Sequence, residues 1–150
     1  MSENRIAWYD DGNEELRVYE FDGTDWVQVG SGLSVGSMAF GDITTLQGSR
    51  ILFAENTTDN LDTYDFDGSS FILVNSSACP SGTVSSSSIT AVTPTRLIHG
   101  KNGDNNIYIY DFDGSSWVQT FTKDLSLNGA DELALLTGNR VVTFTGNDES

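Results

Sequence analysis

The sequence predicts an all-β chain made of three copies of one four-stranded antiparallel unit. Two observations predict it. A nine-residue phrase recurs as YEFDGTDWV at 19–27, YDFDGSSFI at 64–72 and YDFDGSSWV at 110–118. Its first residues, Tyr19, Tyr64 and Tyr110, lie 45 and 46 positions apart, and Arg5, Arg50 and Arg96 each stand 14 residues before it. A period of this size marks one supersecondary unit copied along the chain.

Taken in chain order and labelled A to D, the first strand present is a B strand. It follows the arginine marker as RIAWY, RILFA and RLIHG, and Arg140 repeats the marker as RVVTF. Polar turns follow at 10–15, 55–60 and 101–106, where Asp-Gly and Asn-Gly supply the positive φ angles of tight hairpins. Strand C alternates apolar and polar residues, as in Leu16–Phe21 and Ile107–Phe112, the period of a half-buried strand. The next turn is DGTD or DGSS, flanked by Phe21 and Trp26, Phe66 and Phe71, Phe112 and Trp117. Aromatic pairs placed so should face each other across the hairpin and pin its register. Strand D follows from Trp26, Phe71 and Trp117.

Strand A is read from a branched apolar residue seven before the arginine and another four before it. These are Ile43 and Leu46, Ile89 and Val92, Leu133 and Leu136. The run ADELALL at 130–136 has helical propensity, but its register with the other A strands makes it a strand. The chain therefore reads B-C-D, A-B-C-D, A-B-C-D, A-B in a single domain, 1–150. Units span about 4–37, 38–83 and 84–128, with a partial closing unit at 129–146. Four-stranded units of this length fit β-propeller blades, three being fewer than a ring usually holds, so a dimer is expected to complete it. The closing strand should join the first sheet of the same chain or of a neighbour, leaving no naked edge. A monomeric β-trefoil is the alternative.

The segment 10–35, with echoes at 59–74 and 105–120, resembles the tandem YxFDGxxWxQxG repeats of marine bacterial and phage proteins. That resemblance implies a β-propeller and a place in tail-fibre or surface-exposed proteins. It implies no reaction and no fixed ligand. The second copy departs from it at Phe71 and Leu73.

Composition narrows the function. A net charge of −15, from 22 acidic and 7 basic residues, repels phosphate backbones and anionic membranes, so no nucleic-acid partner is expected. No run approaches the ~20 apolar residues of a membrane helix, and MSENRIAWYDD carries no secretory signal pattern. One cysteine, Cys79, allows no internal disulfide and is expected in a loop or at an edge. The one histidine, His99, occupies the slot of Trp8, Phe53 and Thr143, which is structural by pattern. No zinc cluster, phosphate loop or nucleophile arrangement stands out, so neither an enzyme nor a cofactor is expected. Asp65 with Asp67, and Asp111 with Asp113, offer two carboxylates each, fewer than a calcium loop uses.

The markers Arg5, Arg50 and Arg96 have two readings. They bridge to acids of an adjoining unit, or they grip a sugar between units beside the indoles of Trp8, Trp26 and Trp117. The expected function is a recognition module for glycans or a receptor on a virion or cell surface. The alternative is a structural decoration or connector part of a phage particle.

Overall fold

In the computed structural model, residues 4–36, 42–55, 58–79, 87–101, 106–126, 132–136 and 140–144 are described. The expected unit boundaries, and parts of the turns at 55–60 and 101–106, lie outside them.

The described residues form thirteen strands in four antiparallel sheets. The first sheet holds β1 (Arg5–Asp10), β2 (Glu15–Phe21) and β3 (Trp26–Ser34). The second holds β4 (Asp42–Thr45), β5 (Arg50–Glu55), β6 (Asn60–Phe66) and β7 (Phe71–Ala78). The third holds β8 (Ser87–Thr93), β9 (Arg96–Lys101), β10 (Asn106–Phe112) and β11 (Trp117–Asp124). The last pairs β12 (Glu132–Leu136) with β13 (Arg140–Phe144), so ELALL at 132–136 is a strand despite its propensity. Each sheet is a meander in chain order, the arrangement of propeller blades and not of a trefoil. No described helix is long and apolar enough to cross a membrane.

The recurring phrase sets the register. Phe21 faces Trp26, Phe66 faces Phe71 and Phe112 faces Trp117, with ring centroids 5.5, 5.1 and 5.3 Å apart. In each DG turn the aspartate accepts two backbone N–H bonds: Asp22 from Thr24 and Asp25, Asp67 from Ser69 and Ser70, Asp113 from Ser115 and Ser116. Closing the hairpin is that aspartate's work. A register shift then recurs where strand C meets strand D in all three units, bending the outer strand.

Into that bend docks the turn of the following unit. Ser31 donates its N–H to the Ser69 carbonyl at 3.0 Å, and the Asn75 side chain donates to the Ser115 carbonyl. At the inner edge the A strands are linked by side chains: Ile89 N–H to Asp42, Ala91 N–H to Thr44, Leu133 N–H to Ser88. The units thus follow one another in an arc. Between the second and third lies the apolar core, with Leu52, Leu61, Ile89, Leu97, Tyr110 and Trp117.

One expectation is corrected. Within the chain the closing strand does not join the first sheet: among the described residues β12 pairs with β13 and not with β1. The place a first-sheet B strand would take beside β12 is filled by β13. Cys79 lies in the expected loop, directly after the outer strand β7. It is buried, within 3.8 Å of His99 Nδ1 and 3.6 Å of the Tyr110 hydroxyl.

Candidate functional site

The arginine markers begin each B strand and lie directly opposite the first acid of the phrase in strand C. Arg5 pairs with Glu20, Arg50 with Asp65 and Arg96 with Asp111. Arg50 sends Nε to Asp65 Oδ1 and Nη2 to Oδ2, both at 2.8 Å. Arg96 makes the same fork on Asp111 at 2.6 and 2.8 Å, and Arg5 binds one oxygen of Glu20 at 2.6 Å. The bridging expected between adjoining units is therefore corrected: each pair lies within one unit. The hairpin puts the two residues at the same register position, so the acid nearest each arginine is its own. Arg140 begins β13, beside which no strand C stands among the described residues.

Electrostatics follow from these contacts. The Arg50 fork holds the Asp65 carboxyl below the usual carboxylate range, and Arg96 does so for Asp111. The turn amides of Ser70 and Ser69 hold Asp67 down to about 2. The two carboxylates of a phrase are thus spent separately, one on an arginine and one on a turn, rather than converging on one cation. Among the described residues no three His, Cys, Asp or Glu side chains meet as a metal cluster.

One pair opens into a cavity. Gln47, Gly48, Ser49, Arg50, Asp65, Phe66 and Asp67, with Pro94 from the third unit, line a space of about 590 Å³. Gly48, at φ +62°, turns the chain between β4 and β5 so that Arg50 N–H reaches the Gln47 carbonyl. Phe66 N–H bonds the Ser49 carbonyl, fixing that turn against the end of strand C. The side chains of Arg50 and Asp65 keep 35 and 40% of their surface in solvent, and both line the cavity. The arrangement presents donors and a carboxylate acceptor side by side, next to the exposed ring of Pro94.

The tryptophans do not converge there. Trp117 is 3% exposed and donates its indole N–H to Thr63 of the preceding unit at 3.2 Å. Trp26, in the same slot of the first unit, is 44% exposed, and Trp8 is 58% exposed where its counterpart Phe53 is 1%. Inner units cover these slots with the unit before them, whereas no described sheet precedes the first. Sequence reasoning missed the cavity's Gln47, Ser49 and Pro94. Their signal was available, since they fill the turn immediately before an arginine marker.

No protein-family model matches this chain, and no curated protein matches it in sequence. Among solved structures, it superposes on a chain described as a "putative 6-phosphogluconolactonase" from Bacteroides uniformis with a TM-score of 0.70 at 7% identity. The match covers 93% of this chain and 43% of that one, so this chain spans under half its length. A fucose-specific lectin from Aleuria aurantia aligns with a TM-score of 0.49 at 21% identity, over 87% of this chain and 50% of that one. The first likeness shows the shared fold. It also overturns the expectation that the chain is no enzyme: the same architecture is carried by a chain described as one, so the fold is no argument against catalysis.

Proposed function

We propose that the chain is a recognition module that binds neutral glycans in the crevices between its units, presented on a virion or cell surface. One observation carries this reading: the Arg50–Asp65 fork opens into a cavity of about 590 Å³ that Pro94 of the next unit also lines. A guanidinium and a carboxylate side by side donate to and accept from neighbouring sugar hydroxyls, and an apolar ring covers the C–H face. Ligand sites of this volume usually combine a few fixed polar groups with apolar walls. The charge of −15 disfavours anionic sugars. Repetition of the arginine–acid pair favours several weak sites acting together. Glycan-array binding followed by titration calorimetry of the best hit tests it. Wild type should bind a neutral glycan and Arg50→Met should lose it while staying folded. An array on which the intact protein binds nothing ends the proposal.

The ring is completed, in this reading, by a second copy. Ile6, Trp8 and Trp26 lie exposed in the first unit, whereas Ile51, Phe53 and Trp117 in equivalent slots are buried by a preceding unit. Two arcs of this size approach the length of the Bacteroides chain with the same fold. Light scattering should find a two-chain species that Trp8→Glu converts to one chain. A single chain at every concentration would refute the pairing. The alternative role, a structural connector in an assembly, is favoured by the exposed run Ile72, Leu73 and Val74 on an outer strand.

A further inference from the structure

The junction of the second and third units holds a buried set of three donor atoms that the recognition site does not use. We propose that Cys79, His99 and Tyr110 form a site for one divalent first-row transition-metal ion, with zinc as the representative occupant, tying the second unit to the third. Cys79 ends the second unit beyond β7, while His99 on β9 and Tyr110 on β10 belong to the third.

The spacing is that of a coordination triangle. Cys79 Sγ lies 3.8 Å from His99 Nδ1 and 3.6 Å from the Tyr110 hydroxyl, and that hydroxyl lies 3.3 Å from Nδ1. Ligands at zinc-like bond lengths of ~2.3 Å to sulfur and ~2.0 Å to nitrogen and oxygen stand ~3.3–3.6 Å apart in tetrahedral geometry. A point ~2.3 Å from the sulfur and ~2.0 Å from the nitrogen and the oxygen therefore exists without moving the backbone.

Charge balance suits the place. His99 and Tyr110 are fully buried and Cys79 nearly so. A thiolate, a phenolate and a neutral imidazole bring two negative charges, and a divalent cation cancels them. The thiol and the phenol each give one proton to solvent as the ion enters. A net-neutral site is the kind an apolar core tolerates, whereas an uncompensated ion is not. Tyr108 packs beside both rings, tilted at 5.9 Å from His99 and stacked at 6.4 Å from Tyr110.

The repeat supplies an independent argument. His99 stands where the other units place Trp8, Phe53 and Thr143, and Cys79 stands where they place Ser34 and Leu125. Two departures from the repeat, 20 residues apart in sequence, meet at one point in space. Local breaks with an otherwise consistent pattern concentrate at functional sites.

The test uses the whole chain, freed of metal with a chelator and kept reduced, then titrated with cobalt(II) and with zinc(II). Loading is done on the folded protein and during refolding from urea, so that slow entry into the core is not taken for absence of a site. The expected result is one cobalt per chain, a thiolate-to-cobalt charge-transfer band, and displacement of that band by zinc. Cys79→Ser should abolish the band. His99→Phe, which copies Phe53 in the same slot, and Tyr110→Phe should keep the fold and weaken binding at least about tenfold. Cobalt bound without the band is held by surface carboxylates and overturns the proposal. So does a band of equal affinity in His99→Phe, or a folded wild type that takes up no metal by either route.

Discussion

Replacing Gly30 with alanine should separate the first unit from the second. Gly30 has φ +72°, and a Cβ built on it would sit 2.2 Å from the Ser69 carbonyl oxygen and 2.7 Å from its carbon. Both atoms are backbone, so neither can swing aside. The conformational penalty of alanine in a left-handed position is roughly 1–2 kcal/mol. Forcing the Ser69 turn outward adds about 1–3 kcal/mol by analogy with overpacked cores, and it stretches the 3.0 Å bond from Ser31 N–H. The total is about 2–5 kcal/mol. Gly48 supplies the control, because its φ is +62° and nothing lies within 4 Å of its built Cβ. Gly48→Ala should therefore lose only the conformational part, about 1–2 kcal/mol. Urea unfolding followed by circular dichroism gives both numbers. Equal losses in the two variants would show that the turn of one unit does not press on the outer strand of the one before it.

Trp117→Phe should cost about 1–2 kcal/mol through the lost indole bond to Thr63, whereas Trp8→Phe should change stability by less than about 0.5 kcal/mol; denaturant midpoints that rank them the other way refute the burial argument. Asp65, Asp67 and Asp111 have carboxyls held below their unfolded value of 3.8, so their stabilisation is present above that pH and is lost as pH falls toward 2. Melting temperature should drop across that window and drop less in Asp67→Asn; identical acid profiles would remove the turn aspartate from the account. Tyr64 is pushed up to about 12, by burial first and then by Asp62, so its contribution holds below pH 10 and fades between pH 10 and about 12. Tyrosinate absorbance should show it ionising late, and its loss in the same step as free tyrosine would contradict the burial. Removing the Arg50–Asp65 pair as a double variant should cost no more than about 1 kcal/mol, because both side chains are over a third exposed. A larger loss in thermal unfolding would mean that the pair is structural first.

Much of the architecture was legible because the repeat reads itself three times. Hairpin register followed from Phe21, Phe66 and Phe112 facing their aromatic partners, and the strand at 132–136 followed from its distance to Arg140. The candidate site was half legible. Its arginines were marked by their period, but their partners were sought in the wrong unit, since one-dimensional spacing does not distinguish a facing strand from a neighbouring sheet. The tryptophans show a different limit. Trp26 and Trp117 share a slot and a residue type yet differ fifteenfold in exposure, because what covers the slot is another unit, which no local pattern encodes. The loop position of Cys79 was legible and its burial was not, for a related reason: the atoms that cover it come from β9 and β10.

That Arg5, Arg50 and Arg96 each close on an acid of their own sheet bears on how such chains grow. A segment duplicated, deleted or exchanged between genes carries its cation and its anion together, and leaves no orphaned charge in the segments it joins. Copy number is then free to drift, with the seams between successive sheets as the principal constraint on what is grafted where.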